Sequence, residues 1–121
     1  MSSASLIDEM TLANLTTDIG KEAVILVIAQ SIIEFAQRAV ILEQAIISMD
    51  RLALQKIAHS VSGIAGTIGA LPLRSIATNV EIQCKDNLDI VDIEHLELFK
   101  SLIVKSAQQL KVHHGYLIAN V

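Results

Sequence analysis

The chain has 121 residues, enough for one domain with a sizeable core. Its composition is 52% hydrophobic but only 2% aromatic, so the core must be aliphatic, and one proline with five glycines supplies too few turn residues for an all-β domain. The net charge of −4 argues against a nucleic-acid partner, and the single cysteine, Cys84, excludes both an internal disulfide and a thiolate metal site.

The sequence predicts neither a membrane span nor a signal peptide. The longest segment without Asp, Glu, Lys or Arg covers 57–73, and it is interrupted by glycines and Pro72 and is shorter than the ~20 apolar residues that a span requires. The other apolar run, 23–33, is shorter still and ends at Glu34. No basic segment precedes an apolar stretch near the start of the chain. We therefore expect a cytoplasmic protein without a membrane partner.

Glycines and capping residues divide the first part of the chain into three predicted helices. The first covers about 11–19 and stops at Gly20, and the second covers about 21–48. Asp50 is a predicted N-cap for the third helix, which runs to about Gly69.

Two further helices complete the predicted fold. Pro72 suits the first turn of the fourth helix, which ends near 86–87, and either Asp89 or Asp92 caps the fifth. Because short connections join the long helices, consecutive helices must be antiparallel. The sequence therefore predicts an all-α single domain over 1–121. We expect an up-down-up-down antiparallel four-helix bundle, with the short first helix covering one end.

The second helix has more apolar surface than one core-facing stripe needs. Ile28, Phe35 and Leu42 keep helical spacing and are assigned to the core. A second stripe, beside the first, consists of Ala29, Ile33, Ala36, Val40 and Ile47. We expect the second stripe to pack beneath the first helix and the neighbouring helices. The alternative is a surface for a homodimer or another partner.

The third helix carries the candidate chemistry at His59. On a helical wheel the apolar positions fall on the half opposite His59 and must enter the bundle; they are Leu54, Ile57, Val61, Ile64 and Ile68. The positions beside His59 are polar or lack a side chain; they are Gln55, Lys56, Ser62, Gly63 and Gly66. We therefore expect the imidazole to point into solvent, where a neutral histidine ring is a competent nucleophile near pH 7.

Glycines near His59 suggest that another macromolecule approaches it. Each glycine costs roughly 1 kcal/mol relative to alanine inside a helix. We interpret Gly63 and Gly66 as clearing space around the imidazole, and Gly69, which lies off that face, as a packing position. The alternative is that all three glycines permit tight helix packing. No general base, oxyanion hole or metal ligand set can be assembled around His59 from the sequence. Phosphoryl transfer depends mainly on positioning and charge neutralisation, which a partner can supply.

A run of residues around His59 resembles the histidine-containing phosphotransfer (HPt) domain of bacterial multistep phosphorelays. The matching residues are Ala58, His59, Val61 and Gly63, followed by Gly69, Ala70, Leu73 and Glu81. The resemblance covers the third and fourth helices closely and the rest loosely. It implies a four-helix bundle whose histidine is phosphorylated on Nε2 by a receiver-domain phosphoaspartate and passes the group to another receiver.

The resemblance also implies a site and its partners. The frequent lysine three residues after the histidine is Ser62 here, so we expect Ser62, Lys56 and Gln55 to surround the phosphoryl group, with transfer slowed rather than abolished. We expect a receiver to dock over His59, with Gly63 and Gly66 giving it access. The helical wheel suggests a modest apolar patch near His59, with edge candidates Leu52, Ile64 and Ala70.

The expected protein is a phosphocarrier rather than an enzyme. It has no metal or cofactor of its own, because Mg²⁺ is expected on the receiver. Its expected partners are receiver domains and a hybrid histidine kinase, and it is expected to be a monomer, with a homodimer as the alternative. The rival interpretation is a helical interaction or dimerisation module that is never phosphorylated.

Overall fold

The computed structural model describes residues 5–86 and 91–119. These residues form five helices: α1 (Glu9–Ile19), α2 (Lys21–Ser48), α3 (Arg51–Ile68), α4 (Leu71–Lys85) and α5 (Ile93–Ala119).

Side-chain caps begin three of the helices. Asp8 accepts a hydrogen bond from the backbone N–H of Thr11 (3.2 Å), so α1 begins two residues earlier than the sequence predicts. Asp50 accepts from the N–H three residues on, which confirms the predicted start of α3. Asp92 accepts from the N–H two residues on and begins α5. Asp89, the other predicted cap, lies outside the described residues.

The helix ends also follow local chemistry. Gly69 ends α3 with φ +80°, a left-handed conformation that glycine adopts without a Cβ penalty. Met49 ends α2 in the same region, with φ +49°. Pro72 lies in the first turn of α4, as predicted, and Asp86 caps its end, while residue 87 is not among the described residues.

The four long helices form the predicted antiparallel bundle. Helix α2 packs against α3 and α5, and α4 packs against the same two helices from the opposite side. Each helix therefore lies beside its neighbours in the chain, and α5 closes the bundle against α2. The described interior is mainly aliphatic, with Phe35 and Phe99 fully buried in it and the small side chains of Ser31, Cys84 and Ser106 buried as well. Burying each of the two phenylalanines contributes about 1.5–3 kcal/mol.

Helix α1 covers the turn between α3 and α4, as expected for the short first helix. The backbone N–H of Asp8 donates to the carbonyl of Gly69 (2.8 Å), and the side chains of Ile7, just before α1, and Leu12, on α1, are buried. A Cβ at Gly69 would lie 2.8 Å from the Cβ of Thr11. Gly69 is therefore a packing position, as the sequence predicts.

The second apolar stripe of α2 is exposed, so the prediction that it packs beneath α1 is wrong. Ile33, Val40 and Ile47 are 51%, 66% and 72% exposed. The reason is length: α1 has 11 residues and α2 has 28, so α1 can cover only part of α2, while α3 and α5 take its two inner sides.

Helix α2 is also long and apolar enough to cross a membrane by length and composition, which the sequence analysis did not anticipate. Its inner face nevertheless packs against the bundle, where Ile28 and Phe35 have no exposed surface. Near its middle, Arg38 donates to the hydroxyl of Ser60 on α3 (3.2 Å). We therefore assign α2 to the bundle.

Candidate functional site

His59 lies in the middle of α3 on the face turned away from the core. The opposite face of α3 is inserted into the bundle through Leu54, Val61 and Ile68, none of which has exposed surface. The His59 side chain is 77% exposed. The predicted outward orientation of the imidazole is confirmed.

One nitrogen of the imidazole is held by a carboxylate from α4. The Nδ1 of His59 lies 2.9 Å from Oε2 of Glu81. Because an ionised carboxylate can only accept, Nδ1 must carry the proton and donate it. In the neutral ring the lone pair is then on Nε2, the nitrogen that faces solvent. The contact therefore fixes both the tautomer and the orientation of the ring.

Glu81 is itself held by a lysine one turn further along α4. Lys85 Nζ lies 3.1 Å from the same Oε2 atom that contacts His59, and the Glu81 side chain is only 13% exposed. Burial alone would raise the pKa of Glu81, but the hydrogen bonds and positive charges of Lys85 and His59 outweigh it and lower the pKa. Glu81 therefore stays ionised and brings the ammonium group of Lys85 close to the imidazole.

The contact between His59 and Glu81 belongs to a series of pairs along the seam of α3 and α4. One turn further along α3, the hydroxyls of Ser62 and Thr78 lie 3.2 Å apart. Thr78 also donates to the carbonyl of Arg74 (2.9 Å). The Ser62 hydroxyl is therefore part of the seam, on the same side of α3 as His59.

The two glycines after His59 have different surroundings. A Cβ at Gly63 would meet nothing within 4 Å, so this position is open, as expected of a position that gives a partner access. A Cβ at Gly66 would lie 3.4 Å from Nε and 3.6 Å from Cζ of Arg74. The space above Gly66 is therefore occupied by the guanidinium group of this chain, which the sequence analysis did not foresee.

The remaining predicted site residues differ in how exposed they are. Gln55 and Lys56 line a depression together with His59, and Lys56 is exposed. Leu52 is 60% exposed. Ile64 is only half-exposed and packs against the core. Ala70 has no exposed surface, so its prediction as a docking residue is wrong.

The buried position of Ala70 has a local cause. Ala70 follows the left-handed residue Gly69, its N–H donates to the carbonyl of Ala65, and the next residue begins α4. The tight turn thus directs its methyl group into the bundle, where the wheel of α3 no longer applies.

Glu81 was matched to the HPt pattern without being given a role, and three further residues of the site were given none by sequence reasoning: Lys85, Arg74 and Thr78. All three belong to α4, and they reach the site because α4 runs antiparallel to α3. The available signal was the position of Glu81. Once Glu81 is paired with His59, the register of the two helices pairs Thr78 with Ser62 and Arg74 with Gly66.

Another histidine forms a contact between α4 and α5. His95 lies 3.1 Å from the amide nitrogen of Gln83 through Nδ1. Within residues 5–86 and 91–119, no group of three or more His, Cys, Asp or Glu side chains is arranged to hold a metal ion.

The arrangement of the helices is that of the histidine-containing phosphotransfer fold. The structure is similar to the crystal structure of histidine-containing phosphotransfer protein B (HptB) from Pseudomonas aeruginosa PAO1, with a TM-score of 0.82. The similarity covers 94% of this chain and 98% of that chain at 19% sequence identity, and it establishes the fold. No protein-family model and no curated protein matches the sequence.

Proposed function

We propose that the protein is a phosphocarrier of a two-component phosphorelay, in which His59 accepts a phosphoryl group from one receiver domain and passes it to another. The observation that supports this function best is the state of the imidazole. Its Nδ1 is tied to Glu81, and its Nε2 is bare on an exposed ring.

The transfer step follows from this geometry. The Nε2 lone pair of His59 attacks the phosphorus of a receiver phosphoaspartate, a P–N bond forms, and the P–O bond to the aspartate breaks. The bonding electrons leave with the aspartate carboxylate. Nδ1 keeps its proton, so the phosphorylated ring is an imidazolium, and its positive charge lies beside the Glu81 carboxylate. Return transfer to a second receiver reverses each change, with the new aspartate as nucleophile.

Charge around the phosphoryl group comes from the α4 side of the site as well as from α3. Lys85 is held near the imidazole through Glu81, and Lys56 lies exposed beside His59. Together with Gln55, these residues stand in for the lysine that the HPt pattern would place at residue 62. The Ser62 hydroxyl joins them only by turning away from Thr78, because Thr78 donates its proton to the carbonyl of Arg74 and Ser62 therefore donates to Thr78. The chain needs no metal or cofactor of its own in this scheme, because the receiver supplies Mg²⁺ and its own lysine.

Receiver docking is proposed on the exposed side of α3. Leu52 supplies apolar area on the same face as His59, two turns before it, and Gly63 leaves open space one turn after it. Ile64 contributes at most an edge, since it is largely packed against the core. We further propose that the protein is a cytoplasmic monomer, is not an enzyme in its own right, and serves receiver domains and a hybrid histidine kinase. Its proposed partners do not include nucleic acid or a membrane.

A second function is supported by one observation. The outer face of α2 exposes Leu26, Ile33, Val40 and Ile47, whose regular spacing suits contact with another helix. A helical interaction or dimerisation module that is never phosphorylated would use this face.

One experiment separates the two functions. Purified receiver domains are phosphorylated on aspartate with a labelled small phosphodonor and Mg²⁺, then mixed with the protein. We expect an acid-labile label on the wild-type chain, none on His59→Ala, and wild-type labelling of His114→Ala as the matched control. Receiver binding without any label on the wild-type chain would instead support the interaction module.

A second pair of variants tests the role of Glu81. Glu81→Gln keeps a carbonyl oxygen that can accept from Nδ1–H but removes the negative charge, whereas Glu81→Ala removes both. We expect the labelling rate to fall in both variants, and to fall further in Glu81→Ala. Equal and unchanged rates would show that the contact between His59 and Glu81 has no part in transfer.

A further inference from the structure

A groove runs along the seam of α3 and α4, away from His59. It is about 520 Å³ in volume, and its walls are mainly hydroxyls, bare glycine backbone and one guanidinium group. We call it the Arg74 groove; it is lined by Ser62, Gly63, Gly66, Thr67, Arg74 and Thr78, with His59 and Glu81 at one end.

Arg74 is the charged group of this groove that has no counter-ion. Among the described residues, Glu81 pairs with His59 and Lys85, and Glu43 pairs with Lys100; Arg74 takes part in none of these ion pairs. Arg74 is exposed and lies across Gly66 without a carboxylate partner among those residues. On a chain of net charge −4, an unpaired cation beside the proposed reaction centre is available to a negatively charged partner group.

The position of Arg74 indicates which molecule it contacts. Gly66 lies seven residues after His59, about 10 Å along the helix axis at 1.5 Å per residue. Arg74 lies over Gly66 and not over His59, so this position suits a group on a docked protein better than a phosphoryl group on His59. It is well within the footprint of a protein docked over His59, since a standard interface covers about 800 Å² on each partner.

We infer that Arg74 binds a carboxylate side chain on the docking receiver, about 10 Å from its phosphoaspartate, and thereby selects among receivers. This inference rests on the proposed function for the class of partner. The planar guanidinium group matches a carboxylate with two parallel hydrogen bonds. The open space above Gly63 leaves room for such a side chain, and the hydroxyls of Ser62 and Thr78 give that part of the groove a polar lining.

The test measures binding separately from transfer. The probe is the receiver domain that binds the wild-type chain most tightly, whether or not it labels the chain, and its dissociation constant is measured in a His59→Gln background, which cannot be phosphorylated on that ring. We expect Arg74→Gln to weaken binding about tenfold and Arg74→Glu to weaken it further, as for loss of a charge-assisted hydrogen bond. Arg74→Lys is expected to recover part of the loss.

Two further variants exclude a general effect of charge or of folding. Lys105→Glu makes the same change in net charge as replacing a cation by an anion at residue 74, on the exposed side of α5, and is expected to change affinity less than about twofold because salt screens distant charges. Gly66→Ala leaves the charge intact and puts its Cβ in ordinary van der Waals contact with Arg74, 3.4 Å from Nε, so the guanidinium group should stay in place and binding should stay close to that of the wild type. In a charge swap, one acidic residue of the receiver changed to lysine should restore binding to Arg74→Glu.

The outcomes distinguish this inference from the proposed function. Transfer that is intact and insensitive to Arg74, with equal affinities for Arg74→Glu and Lys105→Glu, overturns the inference alone. Binding that depends on Arg74 but never leads to a label on His59 overturns the phosphocarrier function and leaves the Arg74 contact standing.

Discussion

The turn between α3 and α4 gives the sharpest test of how this bundle is held together. Gly69→Ala puts a methyl group on a residue with φ +80°, which costs about 1–2 kcal/mol for an L-residue in the left-handed region. The new Cβ would also lie 2.8 Å from Thr11 Cβ and 2.9 Å from the carbonyl oxygen of Asp8. The start of α1 must therefore move, and the hydrogen bond from Asp8 N–H to Gly69, worth about 1 kcal/mol, weakens or breaks. Together these effects predict a loss of about 2–3 kcal/mol in the free energy of unfolding.

Urea unfolding followed by circular dichroism measures this loss directly. Gly63→Ala is the matched control, since it makes the same chemical change in the middle of α3, where a Cβ meets nothing within 4 Å. It should raise the free energy of unfolding by about 0.5–1 kcal/mol, because alanine is the better helix former. A Gly69→Ala variant within about 0.5 kcal/mol of the wild type, a difference typical of neutral surface substitutions, would show that α1 is not docked on this turn. Gly63→Ala should nevertheless slow phosphotransfer, since its methyl group enters the space left for the receiver.

The other predictions concern stability and accessibility. Because the pKa of Glu81 is lowered in the folded chain, its ion pairs stabilise the protein above the ordinary carboxyl pKa of about 4.3, and this stabilisation is lost as the pH falls through the lowered value. The difference in unfolding free energy between the wild type and Glu81→Gln should therefore shrink between about pH 6 and about pH 3 in urea titrations. Leu54→Ala removes a fully buried side chain and should cost about 2–5 kcal/mol by the same assay; a cost below about 1 kcal/mol would contradict its place in the core. Asp50→Ala deletes the cap of α3 and should cost about 1 kcal/mol, whereas Asp50→Ser should recover most of it. Burial raises the pKa of the Cys84 thiol, so thiol reagents should label it only after denaturant is added, and rapid labelling of the folded chain would show that α4 opens locally.

The sequence was sufficient to predict what depends on one helix at a time. The periodicity of α3 separates Leu54 and Val61 from His59, and the structure confirms both the buried face and the exposed ring. Asp50 and Pro72 likewise act on their own helices, so their roles follow from local backbone chemistry.

Features that depend on how two helices meet could not be predicted from the sequence in this way. The approach of Lys85 and Arg74 to the site requires the register of α4 against α3, and no helical wheel contains that information. The helical wheel also treated α3 as continuing through Gly69 to Ala70. In the structure Gly69 has a left-handed conformation that ends α3, and Ala70 is buried. Ile33 and its neighbours on α2 were placed under α1 because apolar side chains usually find cover, yet α1 is too short to supply it.

The tight connection between α3 and α4 has a consequence for how the site is assembled. His59 and Glu81 are 22 residues apart, and every side chain proposed to act on the phosphoryl group or the receiver lies in one contiguous stretch, 52–85. Bringing the two ends of such a short hairpin together costs little chain entropy. The long helices α2 and α5 need only shield its apolar underside, a task that many aliphatic sequences perform equally well. Substitutions can therefore accumulate over most of the chain while the geometry at the imidazole is preserved, and the fold can be retained at 19% identity to HptB.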